Sequence, residues 1–185
     1  MKHISRRTSA ALSGRSQSNL GQLKSNQLTP PESLLPWLNT TGSLTAQLED
    51  VLGQKLQIRP VHEGFKLMSP QMTQQIDSTG RTRQMAICRE VELLGDQGVA
   101  WVSAQSWFVL SSLKGARRRL KNLGRTPLGY VLFDRTELEC HRCVCLTDQG
   151  WSRRNTYRWR GAELLVIETF RPEFAKLVQQ HGWTP

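Results

Sequence analysis

The 185-residue chain has no apolar run approaching the roughly 20 residues that a membrane-spanning helix requires. Its N-terminus also lacks the apolar core and cleavage site of a secretory signal. These two absences predict a cytoplasmic protein without stable membrane insertion. Only four cysteines occur, three of them within six residues, which is a poor framework for disulfide bonds and favours reduced thiols.

Acidic side chains are missing from residues 1–29, although this segment carries five of the ten excess positive charges. It is rich in Ser, Gln and Asn without helical periodicity, so we predict a disordered basic tail. Its composition also resembles a transit peptide, and that alternative stays open. Residues 30–185 hold the remaining 20 basic and all 15 acidic side chains, a net charge of +5, and are long enough for one domain.

Patterns for metal or nucleic-acid binding are weak. The ligand types in Cys140-His141-Arg142-Cys143-Val144-Cys145 suit zinc, but on a strand Cys140 points away from the others, and no second ligand pair follows. The basic stretch at residues 114–121 has no aromatic side chains interleaved with its charges. This pattern favours a solvated surface over a nucleic-acid interface. We therefore expect neither a metal ion nor nucleic acid as a partner.

Apolar alternation and turn residues predict that strands dominate the chain. The segments around the Gly95–Gly98 turn are joined as a hairpin, which makes that part of the sheet antiparallel. Arginines in the later segments indicate that two of those strands are edge or half-exposed strands. Six extended segments are predicted: Lys55–Leu67, Arg83–Leu94, Val99–Leu110, Glu137–Leu146, Asn155–Arg160 and Glu163–Phe170.

Helix signals are clearest in the first third of the chain. Ser43 is an N-cap residue before an amphipathic segment that ends at Gly53. A second helix is predicted from Ser111 or Ser112 to Gly124. Between them, Met68–Thr82 is polar and contains Pro and Gly, so it is predicted to be a loop.

Arg89 lies on the apolar face of the second extended segment. Its neighbours two residues away, Ile87 and Val91, are apolar, so the guanidinium is expected to be buried. A buried arginine cannot lose its proton and must therefore meet a carboxylate or an anionic ligand.

Glu168 is a carboxylate in an apolar run typical of a strand covered on both faces. Burial there requires a partner, a raised pKa, or both. One interpretation is a structural ion pair, for which Arg89 is a candidate partner. The other is an acid/base carboxyl in a ligand cavity. If an anionic ligand lies between them, Arg89 binds its carboxylate and Glu168 keeps apolar surroundings with a raised pKa.

Four ordered blocks of the chain resemble the chorismate lyase family. The blocks are Leu35–Glu49, Arg89–Val91, Leu123–Phe133 and Trp151–Pro172. The third block, with its Gly-Arg-Thr-Pro-Leu-Gly turn, is the most specific. The tail and the Cys140–Cys145 segment have no counterpart in the family.

The resemblance implies an α+β fold, in which a single antiparallel sheet of about six strands carries helices and helical flaps over a buried ligand site. It also implies a cofactor-independent lyase that converts chorismate to 4-hydroxybenzoate and pyruvate for ubiquinone or plastoquinone biosynthesis, and we expect a monomer. By the same resemblance, Glu168 is the acid/base and Arg89 the carboxylate clamp. Leu128 and Leu44 would contact the ligand, and Leu44 stands where the family has methionine.

A rival interpretation is a small-molecule-sensing domain of the same fold that binds a ligand without reacting it. Such domains follow a winged-helix DNA reader, and residues 1–30 are too short and aperiodic to form one. A nucleic-acid binder that uses the basic tail is a second rival. Incubation with chorismate separates these classes, since only the lyase forms products.

Overall fold

The computed structural model describes residues 29–76, 83–114, 118, 120–133, 138–159 and 161–185. The predicted tail therefore lies outside the described residues, apart from residue 29. The six strands are β1 (Gln57–Leu67), β2 (Met85–Leu94), β3 (Ala100–Val109), β4 (Glu139–Thr147), β5 (Gly150–Trp159) and β6 (Ala162–Phe170). The five helices are α1 (Leu35–Asn39), α2 (Leu44–Leu52), α3 (Pro70–Ile76), α4 (Leu128–Leu132) and α5 (Pro172–His181).

All six strands form one sheet in the order β1-β2-β3-β6-β5-β4, and every neighbouring pair is antiparallel. Tight turns join β2 to β3, β4 to β5 and β5 to β6, because glycines at 98, 150 and 161 adopt positive φ angles there. The prediction of an α+β fold built on a single antiparallel sheet of about six strands is confirmed.

Two apolar clusters cover one face of the sheet and leave a gap between them. The first joins α1, α2 and α5 to Leu93, Val102 and Phe170, and the second gathers around Ile87 and Phe108. A third cluster, on the opposite face, packs Ile76 of α3 against the sheet. The site described below occupies the gap between the first two clusters.

The helix prediction at Ser43 is confirmed. The Ser43 hydroxyl accepts a hydrogen bond from the Ala46 amide at 3.3 Å, and Gly53 ends α2 in the left-handed conformation. The predicted start of an α-helix at Ser111 or Ser112 is wrong, because a 3-10 turn at Leu110–Ser112 ends at Leu113 with a non-helical ψ of 61°. The rest of that prediction falls partly on residues 115–117 and 119, which lie outside the described residues.

The prediction of a loop over Met68–Thr82 is wrong for its first half. Residues 70–76 form α3, which begins at Pro70. The Ser69 hydroxyl precedes the helix and accepts a hydrogen bond from the Met72 amide at 3.3 Å. Thr73 and Ile76 are buried against the sheet, so tertiary packing stabilises a short helix that composition disfavours.

The arginine-rich strand β5 is an interior strand, whereas β4 forms the edge. The prediction that two of the later strands are edge or half-exposed strands holds for β4, but the surface position expected for Arg153 is wrong, since Arg153 is 1% exposed. Its charge is compensated within the site, as described below. Among the described residues, no helix is long and apolar enough to cross a bilayer.

Gly95, in the β2–β3 turn, lies directly against the ring of the buried Trp101, where a Cβ atom would overlap the indole. Gly95→Ala is expected to lower the free energy of unfolding by about 1–3 kcal/mol, because the ring has no space into which to move. Urea unfolding measures the change. The control Asp96→Ala, at an exposed position of the same turn, is expected to change stability by less than about 0.5 kcal/mol. Equal effects of the two substitutions would contradict this packing.

Candidate active site

A partly open cavity of about 40 Å³ lies between the two apolar clusters, beneath α2 and α4. Its floor is formed by β3, whose side chains Ala104 and Ser106 are small, whereas Val102 and Phe108 on the same face are large. This change of side-chain size leaves the space. The volume suffices for about three water molecules.

The four site residues expected from the sequence all line this one cavity. Arg89 and Glu168 belong to β2 and β6, while Leu44 and Leu128 begin α2 and α4. The sheet therefore supplies the charged side chains and the helices supply the apolar cover.

Glu168 is bound by two side chains of β5. Arg153 lies directly opposite it in the β5–β6 pair and donates from Nε to Glu168 Oε2 at 2.6 Å. Asn155 Nδ2 donates to the same oxygen at 3.1 Å. Among the described residues, no hydrogen bond reaches the other oxygen, Oε1. The ion pair expected from the sequence exists, but its cation is Arg153 and not Arg89.

The surroundings of Glu168 are thus polar, contrary to the apolar environment expected for a ligand-bound site. Arg142 extends the network by donating to Asn155 Oδ1 at 2.6 Å. The sequence analysis missed these residues because it interpreted the charges of β4 and β5 as surface charges. Their alternation was the available signal, since Arg153 and Asn155 share a face with the apolar Tyr157 and Trp159.

Arg153 also ties the helical cover to the sheet. Its Nη1 donates to the backbone carbonyls of Trp37 at 2.8 Å and Thr40 at 3.1 Å, at the end of α1. Its guanidinium also lies 5.7 Å from the ring centre of Phe170. The segment that leads into α2 is therefore held by the cation that pairs with Glu168.

Arg89 is 2% exposed and is held by backbone carbonyls. Its Nη2 donates to the carbonyl oxygens of Gly124 and Thr126, each at 2.9 Å. Its Nε is buried without a hydrogen-bond partner among the described residues and lies 4.0 Å from Glu63 Oε1. Burial lowers the pKa of Arg89, and the Glu63 carboxylate opposes that shift, yet the group stays protonated. Its charge is thus only partly compensated.

Tyr157 is a further polar side chain of the cavity wall that the sequence analysis did not identify. Burial raises the pKa of its phenol, and the nearby Glu168 carboxylate raises it further. The hydroxyl is therefore protonated at neutral pH, and it lies within hydrogen-bonding range of the Cys140 thiol.

Helices α2 and α4 touch each other over the cavity. Gly129 approaches Ser43 so closely that a Cβ atom would meet the Ser43 hydroxyl, which explains the glycine after Leu128. Outside, Glu49 on α2 accepts hydrogen bonds from Tyr130 on α4 and from Lys55, the latter at 3.0 Å. Burial alone would raise the pKa of Glu49, but hydrogen bonds from Tyr130, the Leu56 amide and Lys55 lower it. At neutral pH this charged cluster links α2 to α4.

The cavity combines a partly compensated cation, a carboxylate with one unoccupied oxygen, a phenol and an apolar cover. Such a set suits a small anionic molecule with an apolar body and permits proton transfer at Glu168. Within the described ranges, no three or more His, Cys, Asp or Glu side chains converge as metal ligands would.

The fold and the cavity define an α+β protein in which a cation and a carboxylate line one cavity beneath two helices. The sequence model of one family, described as "Chorismate lyase", matches residues 17–180 of the chain. The chain belongs to the chorismate lyase family and is an enzyme of the lyase class.

Curated relatives align with about four fifths of the chain. A "Probable chorismate pyruvate-lyase" of Psychrobacter cryohalolentis is 46% identical over 80% of this chain and 90% of its own length. A protein of the same name from Psychrobacter arcticus is 44% identical over 82% of this chain and 93% of its own length. The "Chorismate pyruvate-lyase" of Photorhabdus laumondii is 31% identical over 77% and 83%.

Among solved structures, the C-terminal domain of the histidine utilization repressor from Pseudomonas syringae pv. tomato has a TM-score of 0.48 at 11% identity. The match covers 64% of this chain and 93% of that chain. A similarity at this level carries no conclusion about function.

Arg153→Met is expected to lower the free energy of unfolding by about 3–5 kcal/mol, because it leaves the Glu168 carboxylate without its buried cation. Urea unfolding at neutral pH measures the loss. Arg158→Met on the same strand is the matched control, since Arg158 is 58% exposed and its ion pairs with Glu139 and Glu163 contribute about 0–1 kcal/mol. A loss at Arg153 no larger than that at Arg158 would refute the importance of the buried pair.

Proposed function

We propose that the protein eliminates pyruvate from chorismate and releases 4-hydroxybenzoate, with Glu168 as acid/base and Arg89 as carboxylate clamp. Membership of the chorismate lyase family supports the reaction. The observation that carries the residue assignment is the shared cavity, which brings a partly compensated guanidinium and a carboxylate together beneath an apolar cover.

Arg89 fits one carboxylate of the substrate. Chorismate has two carboxylates, one on the ring and one on the enolpyruvyl group. The free Nε of Arg89 is available for a charge-assisted hydrogen bond, while the two carbonyl contacts of Nη2 hold the guanidinium in place. Binding of the ring carboxylate there orients the ether that is cleaved.

Glu168 fits the proton transfer. In the reaction a proton leaves C4 of the ring, the bond between C3 and the ether oxygen breaks, and the ring becomes aromatic. The departing enolpyruvate gains a proton on its methylene carbon and becomes pyruvate. Glu168 uses Oε1 for the transfer, while Arg153 and Asn155 hold Oε2. The balance requires no oxidant, so we propose that no cofactor takes part.

Leu44 and Leu128 would contact the apolar ring from the cover. Because the cavity of about 40 Å³ is smaller than the substrate, we propose that α2 and α4 move apart when the ligand enters. We assign catalysis to residues 30–185 and treat residues 1–29 as a basic extension. We further propose a cytoplasmic monomer that supplies quinone biosynthesis.

Incubation of the full chain with chorismate is expected to yield equal amounts of 4-hydroxybenzoate and pyruvate, measured by chromatography and a coupled pyruvate assay. Glu168→Gln keeps the shape of the side chain but removes the base, so turnover is expected to fall by about 10²–10⁴-fold while 4-hydroxybenzoate still binds. The control Glu163→Gln alters the carboxylate of β6 that pairs with the exposed Arg158, and it should leave turnover unchanged.

Two results would contradict this proposal. Binding of chorismate without any product would favour a sensing domain over a lyase. Unchanged turnover of Glu168→Gln would remove Glu168 from the mechanism.

Arg89→Ala is expected to weaken 4-hydroxybenzoate binding by about 10–100-fold, because a hydrogen bond to a charged group contributes about 1.5–3 kcal/mol. Isothermal titration calorimetry measures the dissociation constant, and thermal unfolding confirms that the variant is folded. The control Arg59→Ala removes an arginine of β1 that is 55% exposed and pairs with Glu92, and it should not alter binding. A dissociation constant that does not change in Arg89→Ala would refute the clamp.

A further inference from the structure

We infer that Glu63 is a positioning residue of the site. It fixes the turn at residues 123–126, and the backbone carbonyls of that turn orient Arg89. The inference rests on the proposed binding of a carboxylate by Arg89. It adds a residue to which neither the sequence analysis nor the family resemblance assigned a role.

A β-bulge places Glu63 opposite Arg89. Pro60 pairs with Val91 in the β1–β2 register, and a regular ladder would then bring His62 opposite Arg89. The extra residue at Val61 shifts the register, so that Glu63 pairs with Arg89 and faces the site. The bulge thus exchanges an imidazole for a carboxylate beside the buried cation.

Glu63 binds the turn between the basic stretch and α4 through two backbone amides. The Leu123 amide donates to Glu63 Oε1 at 2.9 Å, and the Gly124 amide donates to Oε2 at 3.1 Å. Both carboxylate oxygens are therefore occupied by one turn. A carboxylate that accepts backbone N–H groups in this way makes charge-assisted bonds, which are shorter and stronger than neutral ones.

The same turn accepts the two hydrogen bonds that Arg89 Nη2 donates, on the carbonyls of Gly124 and Thr126. The turn is therefore held by an anion through its amides and by a cation through its carbonyls. Gly124 has a φ of 52°, which permits its amide and carbonyl to serve the two neighbouring strands.

The link from Glu63 to Arg89 through the turn is stronger than the direct interaction between the two side chains. Glu63 Oε1 and Arg89 Nε are 4.0 Å apart, too far for a hydrogen bond, whereas the four contacts through the turn lie between 2.9 and 3.1 Å. Glu63 therefore leaves Nε free for a ligand. It fixes the guanidinium without occupying it, and the same turn leads directly to Leu128 on the cavity wall.

Glu63→Asp is the decisive variant, because it keeps the charge but is one methylene too short to reach both amides. We expect the dissociation constant for 4-hydroxybenzoate and KM for chorismate to rise about tenfold, with kcat changed less. The matched control is Glu90→Asp, since Glu90 has the same 24% side-chain exposure but pairs with Lys66 on the opposite face of the sheet. Glu90→Asp should leave both constants unchanged.

Amide hydrogen exchange provides a readout that does not depend on activity. The Leu123 and Gly124 amides are expected to exchange at least tenfold faster in Glu63→Asp than in the wild-type protein, and at the wild-type rate in Glu90→Asp. Unchanged exchange, or wild-type affinity of Glu63→Asp together with faster exchange, would overturn the positioning role. Absence of chorismate turnover in the wild-type protein would instead overturn the proposed function, while exchange would still test the link from Glu63 to the turn.

Discussion

The buried ion pair between Arg153 and Glu168 is the interaction on which the arrangement of the site depends. Each charge alone would cost several kcal/mol in this position, so each requires the other and its hydrogen-bonding neighbours. Arg153 also donates to the carbonyls of Trp37 and Thr40, which belong to the helical cover. One guanidinium therefore joins three parts of the molecule: the strand that carries the carboxylate, its own strand, and the segment leading into α2. One oxygen of the carboxylate accepts both hydrogen bonds, and the other accepts none from the described residues.

Arg89 is the second buried arginine, and the cost of burying its charge is offset in another way. Arg89 is held by backbone carbonyls, which satisfy donors without cancelling charge, and the nearby carboxylate of Glu63 lies 4.0 Å away. The two arginines thus differ in what they offer a ligand. The charge of Arg153 is neutralised by direct contact with Glu168, whereas Arg89 retains a positive field and an Nε without a hydrogen-bond partner among the described residues. We therefore propose Arg89 as the anion-binding arginine, on the basis of the partners of each residue and not of the residue type.

Much of this arrangement follows from local patterns. Alternation along β2 identified Arg89 as a charge on an apolar face, and the continuous apolar run of β6 identified Glu168 as a charge in apolar surroundings, while glycine-containing turns indicated antiparallel pairing. Such reasoning failed at Arg153, because a strand with three arginines has the composition of a surface strand. It failed at Glu63, because a bulge at Val61 changes which residues of β1 face the site. The helix start predicted at Ser111 or Ser112 failed for a third reason: the backbone leaves helical geometry at Leu113, whose side chain packs into the apolar cluster around Phe108.

The amino-acid sequence by itself determined the sheet, the capped helix α2, the family resemblance and the two charges that need partners, because these depend on periodicity and on residues close together in the chain. Only the tertiary structure decided which charge meets which. Glu168 and Arg153 are 15 residues apart, and Glu63 lies about 60 residues from the turn that it binds. Contacts over such separations depend on strand order, on register and on a single inserted residue. No local pattern contains these quantities, since they are set by the burial of all six strands and their helices together.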